Sequence, residues 1–169
     1  MARTISKRYT TRDSKWSGTT IVDDDKCRQE KIFGRKEWNC DILVSSKAGP
    51  KTYIHEMLHS RSASYLNRIS YIRYARMEEA SVEFLARKIC EAEGIEFDTK
   101  PHKGVQALEQ INSIVGVKED DLSFAVALFV RDLKDRFKWL EAEVEKHIRK
   151  SPADAQKLLV LLESLRGMK

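Results

Sequence analysis

Two of the four histidines, His55 and His59, stand four residues apart in the stretch YIHEMLHSRS, with Glu56 directly after the first. On a helix, residues i and i+4 project from one face, so both imidazoles can reach a single metal ion. Glu56 is turned by about 100° from His55, because an α-helix has 3.6 residues per turn. It need not bind the metal and can instead reach a water on it. A metal acidifies its water, and a neighbouring carboxylate can take that proton and later deliver it to a leaving amine. The chemistry on offer is metal-assisted hydrolysis, with Glu56 as base. The plainer alternative is an amphipathic helix with two surface histidines.

A catalytic zinc site takes three protein ligands and keeps one position open. His102 and His147 are possible third ligands, but each stands alone in the sequence. The stretch RMEEASVEFLARKI, residues 76–89, offers a better set in Glu78, Glu79 and Glu83. Glu79 and Glu83 share a helix face, and Ala80 is small enough to let another helix approach closely. Glu79 could bind the metal while Glu83 accepts a hydrogen bond from the outer nitrogen of a ligand histidine, an arrangement that fixes the ring. Glu78 fits best as a solvated acid at a helix start, where it would suit the macrodipole.

The elements that must position these residues change character once along the chain. Residues 1–49 hold nearly all the strand signals: Thr19–Val22, Glu30–Phe33 and, most clearly, Trp38–Val44. In the last of these, Trp38, Cys40, Ile42 and Val44 alternate with polar positions. The alternation predicts an edge strand with one face on the core, either a ledge on which an extended peptide could lie or a strand that simply packs in the sheet. Gly49-Pro50 breaks the strand and opens a helix. Helices are expected near 51–67, 71–93, 103–115, 119–149 and 152–166, with Gly94 and Gly116 as stops and SPAD at 151–154 as a capping box. The expected fold is a single α+β domain over 1–169: a small twisted sheet in 1–49, the active-site helices in 50–94 and a helical bundle in 95–169.

Composition narrows the function classes. With 41% hydrophobic and 34% charged residues, the chain is globular rather than disordered. The basic N-terminus is followed by no apolar run, so no secretory signal is expected, and no segment approaches a membrane span. Cys27, Cys40 and Cys90 form no CxxC pair and read as buried or incidental thiols of a cytoplasmic protein. Between Lys47 and Met77 there are six basic residues (Lys47, Lys51, Arg61, Arg68, Arg73 and Arg76) and a single acid, Glu56. Such a surface could draw an acidic partner or nucleic acid, but the plainer reading, a solvated helix face, is favoured.

HEMLH at 55–59 followed by EEASVEF at 78–84 resembles the zincin metallopeptidases whose third ligand is a glutamate. Within that clan it looks most like the ImmA/IrrE-type peptidases of bacteria and their mobile elements. The resemblance implies a zincin-like fold, Zn2+ as cofactor, His55, His59 and Glu79 as its ligands, Glu56 as general base and Glu83 as the acid that orients a ligand histidine. Glu79 falls twenty residues after His59, as in thermolysin-like enzymes. SprT-like proteases, which use a third histidine downstream, fit less well, because no histidine lies between His59 and His102. Two positions depart from the ImmA/IrrE pattern: Leu58 stands where a small residue is common, and Ser81 where Asn often follows the acid–Ala pair. The resemblance implies nothing for 95–169.

The expected function is therefore zinc-dependent hydrolysis of a peptide bond in a protein substrate, by resemblance a regulatory protein of a bacterial or phage-infected cytoplasm. The alternatives are a zincin-fold binding or regulatory module without useful turnover, and a basic nucleic-acid-associated protein with a structural metal. Glu56 speaks against both, since a structural site needs no base. The donor that would stabilise a developing oxyanion is open among Tyr65, Tyr71, Tyr74, Arg73, Arg76 and His102.

Overall fold

The computed structural model describes residues 1–62 and 68–166, with the side chains of residues 68 and 70 left aside. Its architecture is α+β: a three-stranded sheet against a helical body. The strands are β1 (Thr20–Val22), β2 (Gly34–Lys36) and β3 (Ile42–Val44). Helices α1 (Ala2–Arg8) and α2 (Asp24–Glu30) lie among them in the chain. After the sheet come α3 (Pro50–His59), α4 (Arg68–Ala92), α5 (Lys103–Val115), α6 (Asp121–Phe129), α7 (Leu133–Lys150) and α8 (Ala155–Leu165). No helix among the described residues is long and apolar enough to cross a membrane.

The sheet departs from expectation in a way that matters for the site. Strand order is β1-β3-β2, with β1 parallel and β2 antiparallel to β3. The strand expected over Trp38–Val44 is reduced to Ile42–Val44, and it is central rather than an edge. All three of its residues are buried, Leu43 included, so the expected alternation of faces fails. Trp38 and Cys40 precede it in a turn, where Cys40 adopts φ +68°. The strand expected at Glu30–Phe33 is displaced as well. Asp23 caps α2 through a hydrogen bond from the Lys26 amide, so Glu30 ends a helix instead of starting a strand. Lys31, in the left-handed region, then turns the chain into β2.

Helix α3 begins as expected, with Gly49 as N-cap and Pro50 at its first position. At ten residues it is too short to be stable alone in water, so packing must hold it. Ile54 and Leu58 enter the main helical core, while Met57 and Tyr53 pack with Ile42 and Val44 of β3. Each fully buried aliphatic side chain contributes on the order of 1.5–3 kcal/mol. The helix is thus gripped on two faces, and its orientation is fixed for the remaining stripe, His55 and His59. Its expected continuation over 63–67 lies outside the described residues.

The helices near 71–93 and 103–115 are present as α4 and α5, ended by Gly94 (φ +64°) and Gly116 (φ +65°) as the sequence suggests. The long helix expected at 119–149 is instead two. α6 ends at Phe129 and α7 restarts after Asp132, whose backbone is extended. No Gly or Pro marks the break. The freed carbonyls of Phe129 and Arg131 are taken up by the Arg136 guanidinium, at 2.9 and 3.2 Å. At 151–154 a 3-10 turn (Pro152–Asp154) replaces the expected capping box, and Asp154 accepts instead from His147 Nε2 at 2.9 Å.

Candidate metal centre

Helices α3 and α4 bring His55, His59 and Glu79 to one point. The two Nε2 atoms are 3.0 Å apart, and the Glu79 carboxylate lies 3.6 Å from His55 Nε2 and 3.4 Å from His59 Nε2. One donor atom from each residue falls within 4.8 Å of the others, a group that could hold a metal ion. The outer ring nitrogens are both engaged. His55 Nδ1 is 2.9 Å from Glu83 Oε2, and His59 Nδ1 is 3.1 Å from Glu78 Oε1. An ionised carboxylate only accepts, so each Nδ1 carries a proton and each Nε2 is left facing the other and Glu79, with a lone pair to offer whenever its ring is neutral. Three such groups facing one another repel unless a proton or a metal cation sits among them. The donor set therefore fits a metal.

The electrostatics agree. Burial alone would lower the basicity of both imidazoles, but the carboxylates reverse it. Glu79 and Glu83 lift His55 to about 9, and Glu79 with Glu78 holds His59 well above the ordinary imidazole range. Burial likewise opposes ionisation of the three glutamates. Arg136 and His59 outweigh it at Glu78 (about 2), while the imidazoles at Glu79, and His55 with Lys51 at Glu83, hold those carboxyls far below their usual value. The site demands positive charge, which protons or a metal cation would supply.

Glu78 is where the sequence reading fails. Expected on the solvated side of a helix start, it does follow closely on a kink of α4 at Tyr74 (φ −116°, ψ 20°), yet it is fully buried. Its Oε2 accepts from Arg136 Nη1 at 2.6 Å and from Ser62 Oγ at 2.8 Å. Arg136 itself was not singled out in the sequence, and no local pattern there marks it. The basic surface near HEMLH is also thinner than its residue count suggests. Arg61 is buried, bonded to Ser6 Oγ and the Arg12 carbonyl, and Lys51 is tied to Glu83 at 2.7 Å.

Glu56 is buried in the wall of a cavity of about 360 Å3 that also reaches His55, His59 and Glu79. Strand β2 forms the opposite wall through Gly34, Arg35 and Lys36. Gly34 is required there: a Cβ would stand 2.7 Å from Thr52 Cγ2 and 3.2 Å from Glu56 Oε1. Trp38 and Tyr71 meet edge to face at 5.6 Å and line the same cavity. Tyr71 donates to Glu79 Oε1 at 3.2 Å, and burial followed by the Glu79 charge pushes its phenol well above the usual range. A second cavity, of about 650 Å3, opens on the other side of His55 and Glu79 and reaches Glu83 and His102.

Among the other expected donors, His102 caps α5, its Nδ1 accepting from the Val105 amide at 3.3 Å. That bond leaves the ring proton on Nε2, and burial lowers the basicity of the ring. Close packing brings α5 there: a Cβ on Gly104 would lie 2.6 Å from the Ala80 Cβ, so Ala80 does permit a close helix approach. His147, bonded to Asp154, does not join the group. Tyr74 packs against the helical core, Arg73 and Arg76 are exposed, and Tyr65 lies outside the described residues. No protein-family model, curated protein or solved structure matches the chain at a significant level.

Proposed function

We propose that this protein is a zinc-dependent peptidase of zincin type, similar to the ImmA/IrrE peptidases, that hydrolyses a peptide bond in a cytoplasmic protein substrate. The observation that carries the proposal is the convergence of His55 Nε2, His59 Nε2 and the Glu79 carboxylate, with each ring backed by a carboxylate and Glu56 buried beside them. Imidazole and carboxylate donors in a three-ligand open set suit zinc. When bound, zinc would acidify a water and polarise the scissile carbonyl.

The rest of the chemistry belongs to the chain. Glu56 takes the proton of the attacking water and returns it to the leaving amine. Its position against Gly34 excludes bulk water from one side and keeps the carboxylate at the cavity wall. Tyr71, held protonated, is the donor best placed to meet a developing oxyanion, and it already lies at hydrogen-bond distance from Glu79. The ledge for an extended peptide is β2, not β3. Among the described residues β2 pairs with β3 along one side only, and it faces the cavity, so a substrate strand can add to it.

The test has two parts. Purified protein should carry or take up about one zinc per chain, and His55→Ala should lose it. Glu56→Gln should keep zinc and fold yet lose at least on the order of a hundredfold in kcat on an unfolded protein such as casein. Wild-type protein unable to bind zinc, or a Gln variant as active as wild type, overturns the assignment.

A further inference from the structure

We propose that Arg136, from the part of the chain to which the peptidase resemblance does not extend, is a positioning residue for the metal centre. By clamping Glu78 it fixes the His59 ring with its Nε2 aimed at His55 and Glu79. The inference rests on the metal-centre reading above and adds a residue from α7 to it.

Arg136 is fully buried, and a guanidinium stays charged at any ordinary pH. Each of its five N–H groups meets an acceptor. Nε reaches the Arg131 carbonyl at 3.2 Å; Nη2 reaches the Phe129 carbonyl at 2.9 Å and Ser62 Oγ at 3.1 Å; Nη1 reaches Ser81 Oγ at 2.7 Å and Glu78 Oε2 at 2.6 Å. Three of these acceptors lie on α4 or at the end of the α3 segment, and two are the carbonyls released where α6 stops. The guanidinium is therefore pinned from both sides.

The consequence falls on Glu78. Arg136 and Ser62 occupy its Oε2, which leaves Oε1 to accept from His59 Nδ1 at 3.1 Å. That bond selects the tautomer with a free Nε2 lone pair and sets the ring plane. Stability alone is a poor account of such a pair, because the desolvation of two buried charges commonly outweighs their attraction. A group that must aim a carboxylate oxygen at an imidazole explains why the charges are there.

Zinc affinity by chelator competition, the visible spectrum of the cobalt-substituted protein and thermal unfolding of the metal-free protein test this together. Arg136→Met should weaken zinc binding by folded molecules about ten- to a hundredfold and shift the cobalt bands. Arg136→Lys keeps the charge but loses the fork, and should fall about tenfold with little loss of fold. If Arg136 acts through Glu78, the pair Glu78→Gln plus Arg136→Met should bind zinc as Glu78→Gln alone does. A folded Arg136→Met or Arg136→Lys variant with wild-type zinc affinity and cobalt spectrum overturns the proposal, even where the metal-free protein is less stable. Should Arg136→Met not fold, the Lys variant and the pair decide the matter. Wild-type protein that binds no zinc removes the metal-centre reading as well; wild-type binding with unchanged variants removes this one alone.

Discussion

His55 and His59 differ less in what touches them than in what stands behind. Each presents Nε2 to the same point, and each is backed at Nδ1 by a glutamate of α4. Behind His55, Glu83 is held by Lys51 Nζ and Arg87 Nε, both at 2.7 Å, and these side chains keep 22% and 13% of their surface in contact with solvent. Behind His59, Glu78 is held by Arg136, and both side chains are 0% exposed. The chemical pattern is the same on either side while the dielectric is not. At the rim, water can replace a missing partner. In the core water cannot reach, so the same carboxylate–histidine contact should be far more costly to disturb there.

The largest effect expected from this contrast is that of Glu78→Ala. It leaves the Arg136 charge buried without its carboxylate, and removal of one member of such a pair costs about 3–5 kcal/mol. Against a total of about 5–15 kcal/mol for a domain, that is a large share. Urea unfolding of the metal-free variant should show a loss in this range, and zinc affinity should fall with it. A loss below about 1 kcal/mol would mean that solvent reaches the Glu78 side as readily as the Glu83 side.

The sequence pointed the other way for Glu78, and the reason is physical. His55, Glu56 and His59 were legible because their relation is local: four residues on one helix fix the geometry. Glu79 and Glu83 were legible for the same reason, as a pair on one face of α4 that meets His55. What makes Glu78 a buried acid is its counter-ion, 58 positions later and on another helix. Nothing in helical periodicity reports a partner at that distance. The break that places Arg136 was hidden too, since no Gly or Pro interrupts 119–149 and the separation of α6 from α7 is compensated by that same side chain. The sheet erred by a related route. Alternation in Trp38–Val44 suggested an edge, but strand order is set by which neighbours pair, and β2 took the outer place beside the site.

Glu83→Ala should have a smaller effect than Glu78→Ala on stability, about 1–2 kcal/mol, because Lys51 and Arg87 can extend their heads into water on their apolar stems. Its effect on zinc should remain plain, about ten- to a hundredfold by chelator competition, since the His55 ring loses the acceptor that sets its tautomer. The two variants together separate orientation from burial. Both should weaken the metal, and the Glu78 variant alone should unfold much more easily. Equal unfolding midpoints in urea would break the comparison.

Lys51→Ala carries the argument to its smallest term. Glu83 keeps the Arg87 Nε at 2.7 Å, and Arg87 is itself steadied by the Lys100 carbonyl at 2.7 Å. The Glu83 carboxylate should therefore stay in place and go on accepting from His55 Nδ1. Glu83 is itself buried, but the lysine is partly exposed and Arg87 remains to neutralise the carboxylate, so the Lys51 contact is worth about 1 kcal/mol and is weakened by salt. The variant should unfold within about 1 kcal/mol of wild type, with the difference shrinking as ionic strength rises, and zinc affinity should change less than about threefold. If Lys51→Ala instead lowered zinc affinity as far as Glu83→Ala does, the lysine would be setting the carboxylate's position, as Arg136 is proposed to do for Glu78. The rim would then be as strictly built as the core, and exposure would no longer explain how the two histidines differ.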